Sequence, residues 1–169
     1  ALSELFGIDP LKIPLHASPG KVPELAKGWG YISLSHCSNA LLIGWSPEKL
    51  GVDLERSNRS FNPTLLANRY FSKRDQDNLK DFDTKTQRKV ILSKWVIKEA
   101  AIKWQRGSIY RDLIEWNLSE DYKLARHKSL DLKVNIEFFN YDSWLIAIAY
   151  NKDIHSNLPI LCRDYFNNL

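Results

Sequence analysis

The chain has 169 residues, 44% of them hydrophobic and 12% aromatic, with a formal charge of +4 and a pI near 9.0, which is enough apolar content for one core and a single domain over residues 1–169. No stretch reaches the roughly 20 apolar residues of a membrane-spanning helix, and the N-terminus lacks the charged, apolar and small-residue succession of a signal peptide. Cys37 and Cys162 have no partners at zinc-ligand spacing, so reduced thiols and a cytoplasmic location are expected.

Residues 1–30 carry Pro10, Pro14, Pro19 and Pro23 among Gly20, Gly28 and Gly30, too much punctuation for a long helix or strand, and an irregular lead-in is predicted. From Tyr31 the alternation of Ile32 and Leu34 with Ser33 and Ser35 marks a strand. A turn at residues 36–39 and the apolar run Ala40–Trp45 complete a hairpin. After a turn near Ser46 and Pro47, Gly51-Val52-Asp53-Leu54-Glu55 reads as a third strand. The middle of the chain is helical: Asn62 with Pro63 gives a cap and a first-turn proline, and Ser72 with Asp75 and Thr84 with Gln87 read as capping boxes. The last of these opens a long helix to about Arg106, closed by Gly107. Beyond it, Leu113–Leu118, Leu132–Phe139 and Trp144–Tyr150 are predicted strands, the last two forming a hairpin, and the tail from Asn151 is polar. Strands on both sides of a helical centre predict an α+β domain with a largely antiparallel sheet.

Two features carry chemistry. Along a strand, side chains alternate, so Asp53 and Glu55 share one face about 7 Å apart while Val52 and Leu54 take the other. A cation would relieve their repulsion, and hard oxygen ligands suit Mg²⁺ or Mn²⁺; taken alone, the pair also fits a solvated strand face. In the long helix, at roughly 100° per residue, Glu99 and Lys103 fall within the sector of Leu92, Trp95 and Val96, with Lys94 and Lys98 on a more polar edge. An i,i+4 salt bridge accounts for the spacing of Glu99 and Lys103, but charges on an apolar face are costly unless paired or liganded. The alternative gathers Glu99, Asp53 and Glu55 at one metal, with Lys103 one turn on, reaching a phosphate oxygen.

These residues resemble a known family. Gly51-Val52-Asp53-Leu54-Glu55 is similar to the (G)(I/V)D(I/L)E motif of the 4′-phosphopantetheinyl transferases, and Trp95-Val96-Ile97-Lys98-Glu99-Ala100-Ala101-Ile102-Lys103 resembles their W-x-x-K-E-A-x-x-K. Ser33-Leu34-Ser35-His36 resembles their N-x-S-H element, and Gly20-Lys21 with Pro23 their G-K-P. The upstream S-H segment is similar to the larger, surfactin-synthetase-activating type. That resemblance implies two pseudo-repeated halves, the first shortened here to residues 1–50 and the second spanning 51–169. It also implies Mg²⁺-dependent transfer of phosphopantetheine from coenzyme A to a serine of an apo acyl or peptidyl carrier protein, releasing 3′,5′-ADP. By the same resemblance Asp53, Glu55 and Glu99 would bind Mg²⁺ (or Mn²⁺), Glu99, or a water it orients, would deprotonate the carrier serine, and Lys103 would contact the pyrophosphate. Lys21, Ser35 and His36 would hold the 3′-phosphate and adenine end, with Lys98 assisting at the phosphates. Departures are Val22 between Lys21 and Pro23, Ser33 for an asparagine, Val96 for a threonine or serine, and Asp75 for a glutamate.

The basic charge suits an anionic partner without choosing among nucleic acid, a phosphorylated small molecule and an acidic protein. No nucleic-acid motif is present, and the six Trp sit at spacings that favour a core. Neither nucleic acid nor a membrane is therefore an expected partner. His16, His127 and His155 are scattered and expected at the surface. A monomer is expected, or a dimer if another subunit completes the short first half. The rival reading is a non-catalytic domain, derived from such a transferase, that binds coenzyme A or a carrier protein; retention of Asp53, Glu55, Glu99 and Lys103 argues against it.

Overall fold

A computed structural model describes residues 1–37 and 39–151. In chain order the elements are α1 (Leu2–Phe6), a 3-10 turn (Pro10–Lys12), β1 (Leu15–His16), β2 (Glu24–Leu25), β3 (Tyr31–Cys37), β4 (Ala40–Ser46) and β5 (Leu50–Arg56), then α2 (Pro63–Tyr70), α3 (Lys73–Asp77), α4 (Thr84–Gln105), α5 (Ile109–Asp112), β6 (Trp116–Leu118), β7 (Leu124–His127), β8 (Lys133–Tyr141) and β9 (Trp144–Tyr150). Strands β5 to β9 form one antiparallel sheet in the order β5-β9-β8-β7-β6, while β3 and β4 pair as a separate hairpin. This is the α+β architecture with antiparallel sheets and a long helix that the pattern of elements predicts.

The two-residue period of a strand decides what each face of the sheet meets. Leu145, Ala147 and Ala149 of β9 join the core built on α4, whereas Ile146 and Ile148 face the other way with Leu50, Val52 and Leu54 of β5. That second cluster is covered by Cys37, Ala40 and Leu42 of the hairpin. Helix α4 thus covers one face of the sheet while the hairpin packs on the other side at β5, and α4 is largely buried from Trp95 to Trp104, with Glu99 and Lys103 half-buried. Burial of each large aliphatic side chain contributes about 1.5–3 kcal/mol.

Small residues set the closest approach. A Cβ on Gly51 would lie 2.1 Å from the carbonyl oxygen of Ala100 and 2.3 Å from the nitrogen of Trp104, so the β5 backbone rests directly on that of α4. On the edge away from β9, β5 has no backbone ladder partner among the described residues. Serine hydroxyls of β3 take that place: Ser33 Oγ accepts the Val52 N–H at 2.9 Å and Ser35 Oγ accepts the Leu54 N–H at 3.2 Å, sealing an otherwise open sheet edge. The lead-in packs onto the hairpin through Phe6, which meets Trp29 and Trp45 edge-on, and the Trp45 indole N–H donates to the Trp29 carbonyl at 2.7 Å.

Several expectations need correction. Residues 113–118 are not one strand: Ile109–Asp112 is a helical turn and only Trp116–Leu118 is extended. Leu124–His127, with no strand expected there, forms β7. Asp83, not Thr84, caps α4, accepting the N–H groups of Lys85 and Thr86. At the far end Arg106, not Gly107, takes the left-handed conformation, with φ 62°. Gly107 is required for space, since a Cβ there would meet the Asp112 carboxylate at 2.3 Å. His127 is buried, packed edge-on against Trp116; His16 is exposed as expected, and His155 and Cys162 lie outside the described residues. No helix among the described residues is long and apolar enough to cross a membrane.

Candidate active site

The Gly51 contact fixes the site. With the β5 backbone against α4 at Ala100 and Trp104, the next residue on the same strand face, Asp53, meets Lys103. The Lys103 ammonium donates to Asp53 Oδ1 at 2.6 Å, and Ser35 Oγ donates to the same oxygen at 2.7 Å. Asp53 is 2% exposed, and its second oxygen, Oδ2, is buried with no hydrogen-bond partner among the described residues. Leu34, Ser35, His36, Asp53, Leu54, Glu55, Glu99 and Lys103 line one pocket of about 300 Å³, at the small end of ligand sites. Sequence reasoning placed all but Leu34 and Leu54 of these at a site.

The electrostatics follow from crowding three carboxyl groups in a poorly solvated place. Burial pushes Glu99 up to about 8, with Asp53 and Glu55 adding to the shift and Lys103 opposing it. Burial also raises Asp53, against the ammonium of Lys103 and the hydrogen bond from Ser35. Glu55 is raised by burial too, offset in part by Arg59, which pairs with it. Arg59 is held by the start of α4, where the Arg88 guanidinium donates to the carbonyls of Arg59 at 2.7 Å and Phe61 at 2.9 Å. Neither arginine is signalled by the sequence: Arg88 reaches the carbonyls of Arg59 and Phe61 from 27 or more residues away, and Arg59 lies in the loop beyond the strand whose alternation places Glu55. A second pocket, of about 400 Å³ and lined by Cys37, Glu55, Arg56, Arg59 and Ser60, adjoins the first through Glu55.

Two expected site residues stand elsewhere. Lys98 is fully buried, not on a polar edge, and pairs with Asp75 Oδ2 at 3.1 Å while Lys94 reaches Asp75 Oδ1 at 2.5 Å. Burial pushes the Asp75 carboxyl up, but the two lysines outweigh it and hold it at about 2; burial likewise lowers Lys98. On the helical wheel Lys98 lies one heptad beyond buried Ile91, and it takes that residue's direction. It does not line the pocket. Lys21 is exposed and also lies outside the pocket lining. Of the residues expected at the nucleotide end, His36 and Ser35 line the pocket, and Ser35 is committed to Asp53.

Among the described residues no three of His, Cys, Asp and Glu are gathered as a ready-made coordination shell. The donor set nevertheless fits a hard cation that takes one or two carboxylates and completes its shell from substrate phosphates and water: Asp53 Oδ2 is an orphaned buried acceptor, and Glu55 and Glu99 line the same pocket.

An antiparallel sheet crossed by a buried helix thus brings carboxylates from the strand and a carboxyl and an ammonium from the helix into one pocket. Residues 49–149 match the family model of the 4′-phosphopantetheinyl transferase superfamily, and the chain belongs to that superfamily. A search of curated proteins gave no match. The matched span contains Asp53, Glu55, Glu99 and Lys103, while Ser35, His36 and Lys21 precede it. Membership supports a phosphopantetheinyl transferase type of function in general terms.

Proposed function

We propose that the chain transfers 4′-phosphopantetheine from coenzyme A to a serine of an apo acyl or peptidyl carrier protein in a Mg²⁺-dependent reaction. The observation that carries this reading is the pocket itself: three carboxyl groups, one with an orphaned buried oxygen, facing the Lys103 ammonium.

In this mechanism Asp53 and Glu55, with Glu99 beside them, would hold Mg²⁺ (or Mn²⁺) through their carboxylate oxygens. Bound there, the ion would neutralise charge on the pyrophosphate of coenzyme A. Lys103 reaches the same pyrophosphate once the phosphate oxygens compete with Asp53 for its three N–H groups, and His36 at the rim meets the 3′-phosphate. Glu99, or a water it orients, accepts the proton of the carrier serine hydroxyl as general base. The serine oxygen forms its bond to the β-phosphorus of the pyrophosphate as the bridging P–O bond breaks, and 3′,5′-ADP leaves. Charge neutralisation and positioning supply most of the catalysis of such a step.

The pocket volume suits a diphosphate and its counter-ion, so the adenine end must lie outside it. The presence of Leu34, Ser35 and His36 in the lining supports assignment to the larger, surfactin-synthetase-activating type. On that assignment residues 1–50 belong to the first half and 51–169 to the second, and the protein works in the cytoplasm. Incubation with coenzyme A, Mg²⁺ and a panel of apo carrier proteins adds one phosphopantetheine mass to at least one carrier. Binding of coenzyme A without that mass on any carrier would replace this reading with the non-catalytic one.

A further inference from the structure

We propose that Ser35 is a positioning residue for the Asp53 carboxylate and not a ligand of the coenzyme A phosphates, an inference that rests on the metal-dependent reading above. A serine hydroxyl has one hydrogen to give. Ser35 spends it on Asp53 Oδ1 at 2.7 Å, and accepts the Leu54 N–H at 3.2 Å. A phosphate oxygen needs a donor, so Ser35 could meet one only by releasing Asp53. The side chain is also 5% exposed, where an abandoned carboxylate oxygen would go unsolvated.

The consequence for the site is directional. Ser35 and Lys103 both bind Oδ1, which fixes the carboxylate plane and leaves Oδ2, buried and without a partner, as the oxygen available to a cation. Ser33 provides the built-in comparison. It lies two residues earlier on the same strand face, is buried to the same 5%, and accepts the Val52 N–H at 2.9 Å. Among the described residues its hydroxyl bonds no carboxylate of β5. Both serines seal the strand edge, and only Ser35 also orients an acid.

The test compares Ser35→Ala, Ser35→Thr and Ser33→Ala with the parent chain, using Mn²⁺ alone as the probe, titrated by electron paramagnetic resonance. Loss of an outer-shell hydrogen bond to a ligating carboxylate typically weakens metal binding by about 10–100-fold. Ser35→Ala is expected to weaken Mn²⁺ binding about tenfold or more. Ser35→Thr, which keeps the hydroxyl, and Ser33→Ala stay within about twofold of the parent. In transfer assays the Ser35→Ala loss falls on kcat and on the Mg²⁺ requirement, with KM for coenzyme A unchanged. Unaltered Mn²⁺ affinity in Ser35→Ala together with a raised KM for coenzyme A would overturn the proposal and restore the phosphate role. A double-mutant cycle in metal-free protein, comparing urea midpoints of Ser35→Ala in parent and Asp53→Asn backgrounds, reads the orientation separately. Coupling between Ser35 and Asp53, with none between Ser33 and Asp53, is expected. If the parent chain binds no Mn²⁺, the metal reading fails by itself, and absence of coupling in the cycle refutes the positioning role.

Discussion

Gly51→Ala tests whether the site is built by contact of two backbones. The added methyl would sit 2.1 Å from the Ala100 carbonyl oxygen, 2.3 Å from the Trp104 nitrogen and 2.9 Å from the Trp104 Cα. None of these atoms is the end of a flexible side chain, so relief requires β5 and the largely buried α4 to separate by about 1 Å. Overpacking costs about 1–3 kcal/mol in ordinary cores, and with backbone on both sides the upper end applies. For a chain of this length about 3 kcal/mol lowers Tm by roughly 6–12 °C. The same separation pulls Asp53 away from Lys103, now 2.6 Å apart, so transfer falls by more than the loss of folded protein explains. Thermal denaturation by circular dichroism, with transfer measured at a temperature where the variant is fully folded, separates the two effects. A variant within about 1 °C of the parent in Tm, and equally active, would refute the reasoning.

Glu99→Gln removes the general base and is expected to cut transfer by about 10²–10⁴-fold, measured by carrier mass, while the circular dichroism spectrum stays the same. Its stability effect has a definite sign. The folded pKa of Glu99 is raised from 4.5 to about 8, so the contribution of Glu99 to the parent's stability is full below about pH 4.5 and declines as pH rises toward 8; in metal-free buffer the urea midpoint of Glu99→Gln loses that decline. By the same repulsion Mg²⁺ raises the Tm of the parent more at pH 8 than at pH 6. Asp75→Asn strands the buried Lys98 ammonium, and removing one partner of a buried pair costs about 3–5 kcal/mol, read as a urea midpoint shift. Since the parent's Asp75 is held below its usual 3.8, at about 2, its contribution persists above pH 3.8 and disappears as pH falls toward 2; the acid arm of the stability profile changes in Asp75→Asn accordingly.

Elements whose residues obey one period along the chain were legible. The serine alternation of β3, the acidic alternation of β5 and Val134, Ile136 and Phe138 of β8 report a two-residue repeat, and β9 reads as a short continuous apolar run. The four site candidates could be placed as two local pairs, Asp53 with Glu55 on a strand face and Glu99 with Lys103 one helix turn apart, although the two pairs meet across 50 residues. Features set by partners distant in sequence were not legible. Lys98 looks like a surface lysine until Asp75 is found beside it, and His127 like a surface histidine until Trp116 is. Strand β7 is only Leu124–His127, and it follows Tyr122 at φ 58°, a conformation that sequence rarely announces for tyrosine. The double duty of Ser35 was hidden for a related reason: alternation correctly put Ser33 and Ser35 on one face, but that face meets the edge of β5, not water.

The pairing of β5 also sets an order of assembly. Its ladder partner is β9, in the register Leu50 with Tyr150 through Arg56 with Trp144, so the acidic strand waits for a segment far along the chain. During synthesis the hairpin and α4 can form from local contacts, while Asp53 and Glu55 remain unsupported on one edge until β9 emerges. Closing so long a loop is the slow kind of event in folding. The pocket is therefore among the last parts to form, and a chain cut before Trp144 would keep every residue of the site in its sequence and lack the site itself.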